Sequence, residues 1–122
     1  MTVLEIANDL VRLCKLGQNF VAMETHYADD IVSVEAMAPP GASPEFVGKP
    51  AVIAKSTGWG AAHEIHSGNV EGPFVHGDRF IVRFTFDVTV KASGVRLIMD
   101  EMGLYSVAGE KIVREEFFYA HA

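Results

Sequence analysis

The run FIVRFTFDVTV, residues 80–90, decides the fold because its apolar and polar side chains alternate almost without a break. Phenylalanine and valine fill the even positions, and most odd positions are polar or charged. Successive side chains of a β-strand point to opposite faces of a sheet, so this period predicts a strand with one buried face. We therefore expect Phe84 and its even-numbered neighbours to line the core.

Turn signals divide the rest of the C-terminal half into hairpins. Gly77-Asp78 precedes the run, Ser93-Gly94 follows it, and Ala108-Gly109 comes later. Such pairs favour the tight turns that join antiparallel strands. They predict a meander of four strands, at about residues 63–76, 79–91, 95–107 and 111–120.

The N-terminal half carries the period of a helix. Thr2 and Glu5 have the spacing of a capping box, and apolar residues then recur at three- and four-residue intervals up to Gly17. A second helix is predicted with one face formed by Phe20, Met23 and Tyr27. The first half is therefore helical and the second half is a sheet, which predicts an α+β fold.

Three further segments connect these halves. A short strand is predicted at residues 31–35, and the proline- and glycine-rich residues 36–49 predict a long loop of the kind that often covers a site. Proline favours a first helical position, so a third helix is expected from Ala51 to about Ser56. Trp59 then stands at its frayed end, between two glycines.

Composition and charge exclude several classes of protein. A chain of 122 residues with 49% hydrophobic content is the size of one domain, which we expect to span residues 1–122. The net charge of −6 disfavours nucleic acid and anionic membrane surfaces as partners. The single cysteine, Cys14, forms no internal disulfide, and no secretion signal is visible, so a cytoplasmic location and a buried structural thiol are expected.

The order of elements resembles the nuclear transport factor 2-like superfamily, and in particular its SnoaL-like and ketosteroid isomerase-like branch. Residues 27–35 are similar to its helix-to-strand passage, and residues 109–119 are similar to its last hairpin. The resemblance implies about three N-terminal helices on a strongly curved, mostly antiparallel sheet that forms a cone. It also implies a pocket for a small, largely apolar molecule inside the cone, and a homodimer through the outer sheet face.

Glu35 is the first candidate catalytic residue. It follows Asp30 by five residues, where the resemblance to ketosteroid isomerases places a catalytic carboxylate. A carboxyl in an apolar cone loses hydration, which raises its pKa and suits it to move protons near neutral pH. The alternative is a solvated acid at the mouth of the cone.

Asp100 and Glu101 are adjacent in a predicted strand, so only one of them can enter the cone. Ketosteroid isomerases similarly carry a protonated acid in this strand as an oxyanion donor. Glu101 is favoured as the catalytic member, and it shares a face with Tyr105. A different loop length would reverse the choice, so Asp100 remains a candidate ligand contact.

His63 and His66 suggest a metal site, but residues three apart on a strand face opposite ways. We therefore predict no metal. One of these histidines is expected to enter the cone beside Trp59, with His63 the candidate base or hydrogen-bond donor and His66 a candidate ligand contact. The other histidines are expected at solvent-facing ends: His26, His76 and His121.

Further ligand contacts are expected from aromatic and acidic residues on the inner side of the cone. Buried acids repel one another unless they are protonated or paired, and a histidine or Arg83 is the expected partner. Helix 1 has no tyrosine where ketosteroid isomerases similarly place an oxyanion donor, so a phenol would come from elsewhere. The candidates are Tyr27, Trp59, Phe84, Glu115 and Tyr119.

These expectations combine into cofactor-free proton transfer on an apolar carbonyl compound. Glu35 would move the proton, and His63 or Glu101 would stabilise the oxyanion. Two alternatives stay open: a module that binds a ligand without catalysis, and an interaction domain whose outer sheet pairs with another chain.

Overall fold

A computed structural model describes residues 1–120, which form three helices and six strands. The predicted α+β class, with helices packed on a curved and mostly antiparallel sheet, is confirmed. In chain order the elements are α1 (Val3–Lys15), α2 (Asn19–His26), β1 (Tyr27–Val34), β2 (Glu45–Val47), α3 (Lys49–Ala62), β3 (His63–His76), β4 (Arg79–Val90), β5 (Arg96–Ala108) and β6 (Lys111–Phe118).

The sheet has the order β2-β1-β6-β5-β4-β3. The four C-terminal strands form the predicted meander, with ends within two residues of the predicted ones. β1 pairs in parallel with β6, and every other neighbouring pair is antiparallel. Irregular register in β3 and between β5 and β6 marks bulges, which bend and twist strands, and a bent sheet can wrap around the helices.

The core lies between α1 and the inner face of the sheet. Four even-numbered residues of β4 are buried as predicted, with Phe80, Val82 and Val88 at most 1% exposed, while Phe86 and Val90 are half-buried. Phe80 and Val82 belong to one apolar cluster with Ile6 and Leu10 of α1, which are also buried. The predicted capping box of Thr2 and Glu5 forms at the start of this helix. The start of α1 and the main core residues therefore agree with the sequence pattern.

Three predicted boundaries are corrected. Tyr27 begins β1 in an extended conformation, instead of closing α2. α3 continues through Gly58 and Gly60 to Ala62, because its packing against β1 outweighs a cost of about 1 kcal/mol for each helical glycine. The loop at residues 36–49 includes the short strand β2, which pairs with β1.

His26 is buried, in contrast to the predicted solvent-facing position. Its Nε2 lies 2.6 Å from Asp9 Oδ2, and Arg12 donates to the other carboxylate oxygen of Asp9. This contact joins α2 to α1. It gives the buried His26 ring a polar partner, which allows the ring to lie in the core. His76 is exposed as predicted, and His121 lies outside the described residues. No helix within residues 1–120 is long and apolar enough to cross a membrane.

Candidate functional site

A cavity of about 610 Å³ lies between the helices and the inner face of the sheet. Its volume is in the range of small-molecule sites, and most of its wall is aromatic or aliphatic. Three acids and one lysine also line it, while Lys15 stands at its exposed rim. The aromatic part of the wall is Phe20, Tyr27, Trp59, Phe84, Phe86, Tyr105 and Phe117, and the inner charged groups are Glu35, Lys55, Glu101 and Glu115.

Strand alternation sends Asp100 and Glu101 to opposite faces of β5. Glu101 is directly opposite Phe84 of β4 and lines the cavity. Asp100 is on the outer face, where it accepts hydrogen bonds from Arg83 at 3.0 and 2.7 Å. Asp100 is therefore not a cavity residue, and its prediction as a ligand contact is wrong. The reason is that its neighbour, Glu101, occupies the inward position on β5.

The Glu101 carboxyl is the unpartnered acid of the cavity. Within residues 1–120 it makes no hydrogen bond. Burial raises its pKa to about 7, the nearby charge of Glu35 adds to this, and Lys55 opposes it. Because a group with a pKa near 7 exists in both protonation states at neutral pH, Glu101 is suited both to take and to return a proton.

Glu115 lines the cavity as a buried residue, and its carboxyl group is hydrogen-bonded. The Tyr27 hydroxyl donates to its two oxygens at 2.6 and 3.1 Å. Burial raises the pKa of Glu115, while Lys55 and the hydrogen bonds from Tyr27 and Ser33 oppose the rise. Tyr105 joins the network through Tyr27, and burial raises the pKa of both phenols. The polar groups of this buried network are hydrogen-bonded to one another, so Glu115 is not a free reactive carboxylate.

Lys55, on α3, is the cation that allows these acids to share one cavity. Its ammonium group donates to Ser33 Oγ at 2.6 Å and to Glu35 Oε2 at 2.9 Å. The same group lies over the rings of Phe46 and Phe117, 5.2 and 5.1 Å from their centroids. A charge in this position is stabilised both by the ion pair and by the aromatic faces.

Glu35 follows the end of β1, and its carboxylate is held from two sides. Lys55 binds one oxygen, and the Tyr119 hydroxyl donates to the other at 3.3 Å. Burial raises the pKa of Tyr119, and the charge of Glu35 adds to the rise. Tyr119 is outside the cavity wall, so its observed contact is with Glu35 rather than with the cavity interior.

A family model for the SnoaL-like domain matches residues 1–119 of this chain. The chain belongs to the SnoaL-like domain family. No curated protein matches this SnoaL-like domain significantly.

Solved structures share the fold. A protein of Mesorhizobium loti, described as a candidate SnoaL-like polyketide cyclase and also as a carbohydrate phosphatase, is 51% identical, with 98% of this chain and 100% of that chain covered and a TM-score of 0.92. A candidate isomerase of Bacillus subtilis is 17% identical, with coverages of 98% and 90% and a TM-score of 0.79. An NTF2-like protein of Burkholderia thailandensis is also 17% identical, with coverages of 98% and 92% and a TM-score of 0.81. The two 17% matches show the fold alone.

Neither predicted histidine of the SnoaL-like domain lines the cavity. His63 stacks on Trp59 with ring centroids 4.4 Å apart, and its Nδ1 lies 2.7 Å from the Trp59 carbonyl oxygen. His66 is exposed, with Nε2 2.7 Å from Thr89 Oγ1. The cause is the length of α3, which brings Trp59 itself into the wall and leaves His63 packed against it at the start of β3.

A metal site has no support in the part of the chain that the structure describes, where no three His, Cys, Asp or Glu side chains are grouped to hold an ion. Cys14 lines the cavity, but burial raises the pKa of its thiol to about 11. It therefore stays a neutral thiol near pH 7, which is a poor nucleophile.

Lys55 is the site residue that sequence reasoning missed in this SnoaL-like domain. Lys55 lies inside the predicted third helix, but that helix ended near Ser56, so Trp59 was not placed on the same helical face. A signal was present, because Lys55 precedes Trp59 by four residues and such a pair shares one face of a helix. Arg83, the arginine expected to neutralise the acids, lies outside with Asp100.

Proposed function

We propose that this SnoaL-like domain binds a small, largely apolar carbonyl compound in its cavity and transfers a proton on it without a cofactor. Reactions of the isomerase, cyclase or lyase type can proceed by such a proton transfer. One observation carries the proposal: a carboxyl group, Glu101, stands unpartnered in an aromatic-walled cavity, with its pKa raised to about 7. The description of the Mesorhizobium loti protein as a candidate polyketide cyclase supports the same reaction class.

In the proposed mechanism Glu101 takes the proton-moving role that the sequence assigned to Glu35. The Glu101 carboxylate removes a proton from the carbon next to the carbonyl group, and the electron pair of the broken C–H bond moves onto the carbonyl oxygen. The protonated Glu101 then returns the proton at the same or another carbon. Glu35 is less suited to this step, because Lys55 and Tyr119 already bind its carboxylate.

Hydrogen exchange tests the proposal without knowledge of the product. Cyclic ketones and polyketide-like diketones are incubated with the protein in D₂O, and deuterium uptake next to the carbonyl is followed by NMR. We expect Glu101→Gln to lower the uptake rate by about 10²-fold or more, the usual contribution of a general base. Asp100→Asn, the matched control on the other face of β5, should keep the rate.

Two results of this experiment contradict the proposal, the first for the role of Glu101 and the second for catalysis as a whole. Full uptake by Glu101→Gln would remove Glu101 from the mechanism. If the wild type shows no uptake for any compound, while a compound raises its melting temperature, the domain is a binding module instead, since a ligand of the folded state stabilises it.

We also propose a homodimer through the outer sheet face, which the family resemblance implies. Support comes from four apolar residues that form one patch on β4, β5 and β6: Ile81, Met102, Leu104 and Phe118. Ion pairs on the same face, Arg83 with Asp100 and Arg114 with Glu116, give it both signs of charge, which suits self-pairing about a two-fold axis.

Light scattering after gel filtration tests the proposed dimer. We expect twice the chain mass for the wild type and a monomer for Met102→Lys, because the substitution places a charge inside the apolar patch. Leu4→Lys alters an exposed apolar residue of α1, away from the patch, and should stay dimeric. A monomeric wild type would contradict the proposal.

A further inference from the structure

The proposed reaction leaves one role unassigned. This role belongs to the hydrogen-bond donor that stabilises the negative charge on the substrate oxygen. The sequence assigned it to His63 or Glu101. His63 is outside the cavity, and Glu101 is the proposed base, so neither fills it. A donor must line the cavity and carry a hydrogen that no protein acceptor takes.

Lys55 meets both conditions. An ammonium group has three N–H donors, and two of them are engaged by Ser33 and Glu35. Among residues 1–120 the third has no hydrogen-bond acceptor, and the rings of Phe46 and Phe117 attract the charge without supplying an oxygen. Lys55 and Phe117 both line the cavity, so a ligand can reach this donor.

The position of the ammonium group is fixed before a ligand arrives. Ser33 is fully buried on β1, and Glu35 follows the same strand, so both anchors are part of the scaffold. Fixed donors stabilise developing charge better than mobile ones, because little reorganisation is needed when the charge appears. The other acids that face Lys55 are Glu101 on β5 and Glu115 on β6.

We propose that Lys55 is the oxyanion donor of this cavity and that it selects ligands whose oxygen is, or becomes, negatively charged. The inference rests on the proposed function. As the substrate C–H bond breaks, its proton goes to Glu101, its electron pair ends on the carbonyl oxygen, and the ammonium group of Lys55 binds that oxygen while remaining protonated. The substrate class is thereby narrowed to compounds that form enolates, and stable aromatic carboxylates are expected to mimic them.

The test compares 2-naphthoate with its neutral analogue 2-naphthamide by isothermal titration calorimetry at pH 6, below the pKa of about 7 of Glu101. We expect the wild type to bind both. Lys55→Met should weaken 2-naphthoate about ten-fold or more, as expected for loss of a charge-assisted hydrogen bond, and should change 2-naphthamide by less than about three-fold. Lys55→Arg keeps the charge and should restore most of the affinity.

Folding of the variants is controlled in the same experiment. Lys55→Met leaves the Glu35 carboxylate unpaired, so the double variant Glu35→Gln with Lys55→Met, which removes both charges, is measured beside it and should show the same selective loss. If the wild type binds both compounds and the folded variants still bind 2-naphthoate as tightly, the Lys55 inference is wrong while the cavity function stands. If the wild type binds neither compound, the cavity function and the inference fail together.

Discussion

Asp100 and Glu101 are neighbours in one strand, yet their carboxyl groups are in opposite environments. Asp100 is on the outer face of β5, exposed and paired with Arg83. Glu101 is on the inner face, where burial raises its pKa to about 7 and no hydrogen bond is made within the described residues. The two-residue period of a strand thus separates a solvated ion pair from a potential proton carrier.

The comparison shows that the surroundings of each acid, and not its residue type, determine its pKa and its possible role in this domain. The same contrast recurs on β6, where Glu115 is buried beneath Tyr27 and its neighbour Glu116 pairs with Arg114 near the surface. Inner acids are therefore expected to control stability and pH dependence, and outer acids to control neither.

The largest effect is expected for Glu115→Ala. The substitution removes a buried side chain and leaves the Tyr27 hydroxyl without its acceptor, so the free energy of unfolding should fall by about 4 kcal/mol. Urea denaturation measures this loss. Glu116→Ala, its neighbour on the other face, is the control and should lose only a small fraction as much; equal losses would break the comparison.

A smaller effect, of opposite sign, is expected for Glu101→Gln. The pKa of Glu101 rises on folding from 4.5 to about 7, so the folded protein binds this proton more tightly than the unfolded chain does. The associated stability is present below about pH 4.5 and is lost as the pH rises through about 7. The variant should therefore be more stable than the wild type at pH 8, by up to about 3 kcal/mol, and should lose this advantage near pH 4.

Urea denaturation at pH 4 and pH 8 measures this difference. Asp100→Asn serves as the control, with no comparable pH-dependent gain. A Glu101→Gln variant whose stability relative to the wild type is the same at both pH values would place Glu101 in water and remove the contrast.

The smallest effect is expected for the outer ion pair. Arg83 and Asp100 are both well exposed, so water and salt screen their attraction. Asp100→Asn should leave the urea midpoint nearly unchanged, and any difference should vanish in 1 M salt. A large loss of stability that persists in salt would show that the outer face contributes as much as the inner one.

Much of the fold could be predicted from the sequence, because β4 shows a clear period of two and turn residues mark the ends of the four C-terminal strands. The inward direction of Glu101 follows from the same period, since Glu101 shares a face with Tyr105. Periodicity does not give tertiary distances, however. It therefore could not show that the Tyr119 hydroxyl hydrogen-bonds to Glu35, or that the buried His26 pairs with Asp9.

The site was predicted less well where helix and strand meet. Two glycines in α3 suggested an early end, although tertiary packing keeps the helix intact to Ala62. This boundary explains two of the errors in the site: the helical face shared by Lys55 and Trp59 was overlooked, and His63 was placed in the cavity instead of against Trp59.

Titration of Glu101 itself tests the central claim most directly. Protein labelled with ¹³C at glutamate side chains is titrated by NMR, and the Glu101 carboxyl signal is assigned by its loss in Glu101→Gln. A midpoint at about 7 is predicted, because the half-buried carboxyl loses hydration in a largely aromatic cavity and lies near Glu35. A midpoint near the ordinary value of 4.5 would show a hydrated carboxylate and would contradict its proposed role as the proton carrier.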